Sequence, residues 1–393
     1  MDNSFCRNSI VIFLICLTSL LFSRFSLAAQ IRLAWDPNTE PDLAGYKVYY
    51  GTASGVYGTP IDVRNLTAYT LTGLAGGQTY YIAVTAYNTS NNESGHSNEV
   101  FGEAKETYVN FDGDGKTDIA VYRMSTGEWF INPSSGGTPY GFGSSGNLSD
   151  IPVPGDYDGD GKTDIAIYER NTGAWFIYPS GGGPIRPLGF GGDPSDLPVP
   201  GDYDGDGKTD IAIYRSNTGA WFIYPSSGSP INGVTFGGDP SDIPVLGDYD
   251  GDGKTDIALY RRSTGAWFIH PSGGGSTRAV GFGGDPSDIA VPGDYGGDGK
   301  TDIAVYRSNT GVWFIYPSSG SPIYSVGFGG DASDMPVPGD YDGDGKTDLA
   351  IYRANSGSWF IYPSSTGPSG IYGIGFGGDA SDLPVVTNPA TYM

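Results

Sequence analysis

The strongest constraint in this sequence is a repeat. The stretch Gly155-Asp-Tyr-Asp-Gly-Asp-Gly-Lys-Thr-Asp-Ile-Ala-Ile-Tyr168 recurs six times with small changes. Equivalent aspartates stand at Asp112, Asp158, Asp204, Asp250 and Asp342, with Gly296 in the fifth copy, each 46 residues from the last. A period this strict means one supersecondary unit used many times over, stacked in a line or wheeled around an axis.

The unit is built of short strands. Around the repeat the chain is rich in Gly, Pro, Tyr and Phe and nearly lacks runs of Ala, Leu, Glu and Lys, which argues for an all-β protein. In the second copy the loop Asp156 to Asp164 runs into an apolar strand at Ile165–Tyr168. A turn at Arg170–Gly173, a strand at Ala174–Tyr178, the segment Gly189-Phe190-Gly191 and a last strand from Asp196 to Pro200 complete it. Four short strands per unit is the size of one propeller blade. Trp129, Trp175, Trp221, Trp267, Trp313 and Trp359 keep the same spacing, each followed by Phe. Strands reading Trp-Phe-Ile are apolar on both faces, which favours a closed propeller over a flat sheet or an open solenoid. Six loops precede six Trp-Phe strands, so six blades are expected. The segment Glu106–Val109 lies in the register of a preceding last strand, where it would compete or pair with the C-terminal strand, and this keeps seven blades as the alternative. The last spacing, from Asp334 to Asp382, is two residues longer, in keeping with extra residues around Ser364–Gly370.

The first 104 residues differ in texture. Residues 1–29 carry Arg7, an apolar run from Ile10 to Phe22 and a small-residue end at Ser26-Leu-Ala-Ala29, the pattern of a secretory signal peptide. The run is too short for a bilayer core of about 30 Å. No second apolar span follows, and the only cysteines, Cys6 and Cys16, lie in this segment. Secretion or display at the cell surface is the expectation, with no disulfide and no membrane span in the mature chain.

Residues 30–104 hold alternating strand patterns at Ile31–Trp35, Gly45–Tyr50, Ala68–Leu71 and Tyr80–Ala86, separated by turn residues. Trp35, the pair Tyr46 and Val48, and Leu74 followed by Tyr80, Ile82, Val84 and Ala86 give this region its resemblance to a fibronectin type III domain. Gly76, where that family commonly has proline, is a departure. The resemblance implies a β-sandwich serving as spacer or interaction module, with Trp35 and Tyr80 in its core. Residues 105–393 then form the propeller.

Each repeat loop reads Asp-x-Asp-x-Asp-Gly-x-x-Asp. Positions 1, 3, 5 and 9 are Asp156, Asp158, Asp160 and Asp164 in the second copy, Asp202, Asp204, Asp206 and Asp210 in the third, and Asp248, Asp250, Asp252 and Asp256 in the fourth. The sixth has Asp340, Asp342, Asp344 and Asp348. The first has Asn110, Asp112, Asp114 and Asp118, and the fifth keeps only Asp294, Asp298 and Asp302 around Gly296. Position 7, the lysine at Lys116, Lys162, Lys208, Lys254, Lys300 and Lys346, offers a backbone carbonyl. Half of the chain's 44 acidic side chains sit in these loops, a crowding that is costly unless a cation neutralises it.

An all-oxygen donor set suits Ca²⁺, whereas Zn²⁺ and copper call for His or Cys. An EF-hand is excluded, because position 12 of the loop is the strand residue Ile167 instead of glutamate. These loops make residues 105–386 similar to FG-GAP or VCBS-type repeats. That resemblance implies a propeller of the kind found in integrin α-subunits, with Ca²⁺ in the loops and a role in adhesion or ligand recognition. The fifth site is expected to bind most weakly.

No catalytic constellation emerges. The only histidines are His96 and His270, and His270 takes the place of tyrosines in sister copies. A further repeated acid, at Asp150, Asp196, Asp242, Asp288, Asp334 and Asp382, reads as a turn former that bonds backbone N–H groups. The net charge of −23 argues against nucleic acid or an anionic membrane as partner. The expectation is a non-enzymatic, calcium-stabilised binding or adhesion protein with an extracellular protein or glycan as ligand. A lectin-like propeller and an accessory region of an extracellular hydrolase are the alternatives.

Overall fold

The structure is a computed structural model, and it describes residues 29–38, 40–74, 79–103, 109–143, 149–228 and 231–386. The signal-like segment, Gly76 and the segment Glu106-Thr-Tyr108 lie outside the described residues. Apart from one 3₁₀ turn at Gly367–Gly370, where the last unit carries its extra residues, every element described is a β-strand.

The N-terminal unit has strands β1 (Ala29–Ala34), β2 (Leu43–Gly51), β3 (Ile61–Arg64), β4 (Ala68–Leu74), β5 (Thr79–Asn88) and β6 (Val100–Glu103). β1 pairs with β4, and the other four form a sheet in the order β3-β2-β5-β6. The alternation seen in the sequence reflects this sandwich: Trp35, Tyr46, Val48, Leu74, Tyr80, Ile82, Val84 and Ala86 all turn into one core. Trp35 meets Tyr46 edge-on at 5.6 Å between centroids, an arrangement that aromatic quadrupoles favour. β3 and β6 are too short to stand out from the sequence alone.

The repeat region forms four-stranded antiparallel sheets, six among the described residues. The first holds β7 (Ile119–Arg123), β8 (Glu128–Asn132) and β9 (Tyr140–Gly143). The second consists of β10 (Asp150–Pro152), β11 (Ile165–Glu169), β12 (Ala174–Tyr178) and β13 (Arg186–Gly189) in that order. Each sheet therefore takes its first strand from the end of the preceding 46-residue unit, across the acidic loop. The first sheet takes it from the C-terminus: Asp382–Pro384 pairs with β7 in the register Asp382↔Arg123. Closure of the ring is thus achieved by hydrogen bonds between the two ends of the repeat array, in the register where the sequence suggested a contest.

Packing follows the same circuit. The core of each sheet is its own Trp, Tyr and Ile together with two aliphatic residues of the next sheet, such as Ile211 and Ile213 against Trp175 and Tyr168. The last sheet packs on Ile119 and Val121 of the first. All six repeat tryptophans are fully buried. The expectation that Trp-Phe-Ile is buried on both faces needs correction: Trp175 and Ile177 are buried while Phe176 is only half-buried. The strand enclosed on both faces is instead Ile165-Ala-Ile-Tyr168, because Ile165 and Ile167 pack into the core of the preceding sheet while Ala166 and Tyr168 pack into the core of their own.

The third strand of the unit also falls earlier than expected, at Arg186–Gly189, since Gly191 and Gly192 have φ of 113° and 106° and end it. A Cβ on Gly173 would come within 2.4 Å of the Gly191 carbonyl carbon. This close approach lets Phe190 N–H donate to Gly173 O at 2.8 Å and Phe190 O accept from Trp175 Nε1 at 3.0 Å.

Truncating the chain after Ser381 removes the closing strand together with Val385 and Val386, both buried. The expected result is a fall in melting temperature on the order of 10 °C, followed by circular dichroism. An unchanged melt contradicts closure by this strand.

Candidate metal centre

From the second copy onwards each acidic loop joins the first and second strands of a sheet, while the first loop leads into β7; each is held in shape by its own side-chain oxygens. In the second copy Asp156 Oδ1 accepts from Gly159 N at 2.6 Å and its Oδ2 from Gly161 N at 2.8 Å. Asp158 Oδ1 accepts from Asp160 N at 3.1 Å and Asp160 Oδ1 from Lys162 N at 2.9 Å. Asp164 closes the turn, with Oδ2 accepting from Tyr157 N at 2.9 Å and Oδ1 from Ser180 N at 2.6 Å. The alternation of Asp with Gly makes this possible: Gly159 and Gly161 have φ of 81° and 86°, so the chain curls around one centre.

The loops bring the predicted acids together unevenly. Asp248, Asp250, Asp252 and Asp256 place carboxylate oxygens within 4.8 Å of one another. So do Asp156, Asp158 and Asp164, then Asp202, Asp204 and Asp206, and then Asp340, Asp342 and Asp344. Among the described residues the first and fifth loops form no such acidic group. In the first loop Asn110 Oδ1 takes the aspartate's role, accepting from Gly113 N at 2.8 Å. In the fifth, Asp294 and Asp302 keep their backbone bonds, and Gly296 leaves a gap.

Two sets of residues were not singled out by sequence reasoning. The serine after the Trp strand, Ser180 in the second copy, donates its N–H to position 9 and its Oγ to Asp160 Oδ1 at 2.8 Å. Its signal is recurrence in step with the tryptophans, at Ser134, Ser226, Ser272, Ser318 and Ser364. The threonine after the lysine is the second set. Thr163 N–H donates to Asn110 O at 2.8 Å, Thr209 to Asp156 O, Thr255 to Asp202 O, Thr301 to Asp248 O and Thr347 to Asp294 O. Thr117 completes the circuit by donating to Asp340 O at 2.7 Å. Each loop is therefore hydrogen-bonded to the next around the whole ring. The lysines reinforce this: Lys208 Nζ donates to Asp158 O at 2.8 Å and Lys300 Nζ to Asp250 O at 2.6 Å.

Electrostatics show what the loops need. Burial pushes the carboxyl of Asp156 up to about 7, Asp202 to about 8 and Asp340 to about 7, although glycine N–H groups oppose it and neighbouring carboxylates add to it. Burial likewise raises Asp164, Asp210 and Asp256 to about 6. A cation set among such groups favours their ionised forms. The donors are carboxylate oxygens throughout, which fits a hard divalent cation.

The repeated acid bonds a turn N–H as expected and has a second partner that the sequence did not suggest. Asp196 does accept a turn N–H, from Asp193 at 2.9 Å. Its larger interaction is with Arg215, whose Nε and Nη2 donate to its two oxygens at 2.7 and 3.0 Å. The same pair recurs at Arg123–Asp382, Arg261–Asp242, Arg307–Asp288 and Arg353–Asp334.

FG-GAP-like repeats match residues 110–167, 156–213, 202–259, 248–305 and 294–351, and a fibronectin type III domain matches residues 21–103. No curated protein matches the chain in sequence. Among solved structures, a β-1,2-glucanase from Parabacteroides distasonis is 28% identical over 21% of this chain and 12% of its own, with a TM-score of 0.17. This chain thus spans a small part of that enzyme. An Fn3-like protein from Clostridium thermocellum is 32% identical over 21% of this chain and 84% of its own, with a TM-score of 0.17. An Agrocybe aegerita lectin, solved for its recognition of non-reducing terminal N-acetylglucosamine, is 14% identical over 88% of this chain and 96% of its own, with a TM-score of 0.49. No helix among the described residues is long and apolar enough to cross a membrane.

Two outcomes follow from the loops. Carboxyls raised from 3.8 bind protons more tightly in the folded state than in the unfolded chain, so cation-free stability falls as pH rises from that value through the folded one. The melting temperature of chelator-treated protein is expected to drop between about pH 5 and about pH 8, with the drop removed by divalent cation. Second, a Cβ on Gly296 comes no closer than 3.7 Å to any other group, so Gly296→Asp fits. Isothermal titration should register tighter divalent-cation binding in that variant.

Proposed function

The chain belongs to the FG-GAP-like repeat family, and on that premise we propose that it is a secreted, calcium-stabilised binding or adhesion protein without catalytic activity. The observation that carries this reading is the ring of acidic loops. Carboxylates converge within 4.8 Å in four of them, and backbone hydrogen bonds tie all six in a circle. Calcium in these loops neutralises buried carboxylates and stiffens the face of the ring, the service that disulfides give other secreted domains. The N-terminal apolar run and small-residue end support export. The fibronectin-like unit then acts as a spacer or second contact module.

The absence of catalysis is supported by the residues themselves. His96 meets Tyr49 and Tyr57 edge-on at 4.6 and 5.1 Å between centroids, and His270 contacts Phe236 at 5.7 Å. His270 Nδ1 also lies 3.2 Å from Thr277 Oγ1, but among the described residues no carboxylate is hydrogen-bonded to either ring to orient it as a base.

A lectin-like reading is favoured by one specific feature. Aromatic pairs span neighbouring units at equivalent places, Phe142 with Tyr178, Phe190 with Tyr224, Phe282 with Tyr316 and Phe328 with Tyr362, at 4.9 to 5.9 Å. Tyr224 is 47% exposed, and such rings offer faces for sugars.

Calcium added to chelator-treated protein at a hundredfold excess over its Kd is expected to raise the melting temperature by at least about 5 °C. An unchanged curve would sink the calcium reading. Glycan-array binding lost on replacing Tyr224 and its half-buried counterparts Tyr178, Tyr316 and Tyr362 supports the lectin over a protein-binding role, and a blank array counts against it.

A further inference from the structure

The acidic loops differ from one another at one residue outside the acidic run. The recurrent serine after the Trp strand is followed by glycine in the second and fourth copies, Gly181 and Gly273, and by serine in the third and sixth, Ser227 and Ser365. Where it is serine, its hydroxyl donates to the position 3 carboxylate, Ser227 Oγ to Asp204 Oδ2 and Ser365 Oγ to Asp342 Oδ2. The fifth copy is a control. With Gly296 at position 3 there is no such acid, and Ser319 Oγ donates to Ser321 Oγ at 3.0 Å.

Position 5 changes in step. Its Oδ1 accepts from the loop lysine N–H in all four of these loops. In the second and fourth the recurrent serine hydroxyl goes to that same oxygen, Ser180 to Asp160 and Ser272 to Asp252 at 2.8 and 2.7 Å. In the third and sixth it goes to the other one, Ser226 to Asp206 Oδ2 and Ser364 to Asp344 Oδ2 at 2.6 and 2.7 Å, so both oxygens are engaged. Position 9 follows: Asp164 and Asp256 belong to the groups of acids converging within 4.8 Å, whereas Asp210 and Asp348 fall outside theirs. The second and fourth loops are also the two, among the described residues, whose position 3 carbonyl is held by a lysine of the next loop, Lys208 on Asp158 and Lys300 on Asp250.

We propose that the residue after this serine sorts the loops into two grades of calcium site, tight in the second and fourth and weaker in the third and sixth. The inference rests on the calcium reading above and adds to it the residue that sets affinity. Positions 1, 3, 5 and 9 offer a hard cation their oxygens. Where two serine hydroxyls hold positions 3 and 5, those charge-assisted bonds must rearrange before position 9 can join. Glycine offers only its N–H, to Asp158 Oδ2 at 3.2 Å and to Asp250 Oδ2 at 3.3 Å. It also leaves room. A Cβ on Gly181 would lie 3.0 and 3.1 Å from Asp158 Oδ2 and Asp160 Oδ2, and one on Gly273 2.9 Å from Asp250 Oδ2 and Asp252 Oδ2, so a side chain there displaces both carboxylates. The first and fifth loops, with Asn110 and Gly296, stand outside both grades.

The test is calcium titration of the chelator-treated full chain by isothermal calorimetry. Two ions are expected to bind at least about tenfold more tightly than the rest, the effect of one charge-assisted hydrogen bond. Ser227→Gly combined with Ser365→Gly should enlarge the tight class by two ions, and Gly181→Ser combined with Gly273→Ser should abolish it. All four residues are exposed, so both variants are expected to keep the fold, as circular dichroism checks. A single class of equivalent ions, or an unchanged number of tight ions in either variant, overturns the proposal and leaves the calcium reading standing. No calcium binding by the unaltered chain overturns both.

Discussion

A carboxylate withdrawn from water must find a cation or N–H groups, and this protein sets itself that problem twice in every repeat. In five of the six sheets the acid that begins the sheet meets it internally, through an arginine from the adjacent strand. The acids of the loops meet it only in part, through glycine N–H groups, and burial still holds the carboxyls of Asp156, Asp202 and Asp340 well above their ordinary range. The first solution makes a sheet edge self-sufficient. The second leaves one face of the ring with buried carboxylates that a divalent cation would neutralise.

The loops are linked around the ring. Position 1 of each loop gives its backbone carbonyl to the threonine N–H of the next, and Asp340 gives its own to Thr117. A loop cannot shift without disturbing the hydrogen bond to its neighbour, so an ion that orders one loop favours order in the next. Closure has the same character in the sheets, where Asp382 and Arg123 join residues at the two ends of the array.

Near-identical units raise the question of where specificity resides. Packing demands sameness of the tryptophan, the tyrosine and the turn glycine at Gly173, Gly219, Gly265, Gly311 and Gly357, whose neighbours leave no room for a Cβ. Departures are tolerated at the surface: Glu169 in place of an arginine, Gly296 in place of an aspartate, His270 in place of a tyrosine. Departures such as these, with Asn110 and the extra turn at Gly367–Gly370, break the symmetry, so a partner that contacts one place on the ring must read such positions.

Much of this was legible in the chain. Spacing alone determined that one unit of short strands repeats, and the Asp-Gly alternation determined a tight loop of oxygen donors, because both follow from local geometry. The alternating residues from Ile31 to Ala86 likewise marked a sandwich core. What the sequence could not carry were relations between units. The phase of each sheet, in which the first strand comes from the preceding unit, depends on which edges meet in space. The burial of Ile165–Tyr168 on both faces, with Phe176 left half-covered, depends on which sheets pack together, since its two faces enter two different cores. The pairing of Asp196 with Arg215, nineteen residues apart, and the threonine ring depend on strands and loops brought together only by folding. Local chemistry was written residue by residue; the partners of its charges were decided by tertiary structure, because a charge interacts with whatever lies within a few ångströms, however distant along the chain.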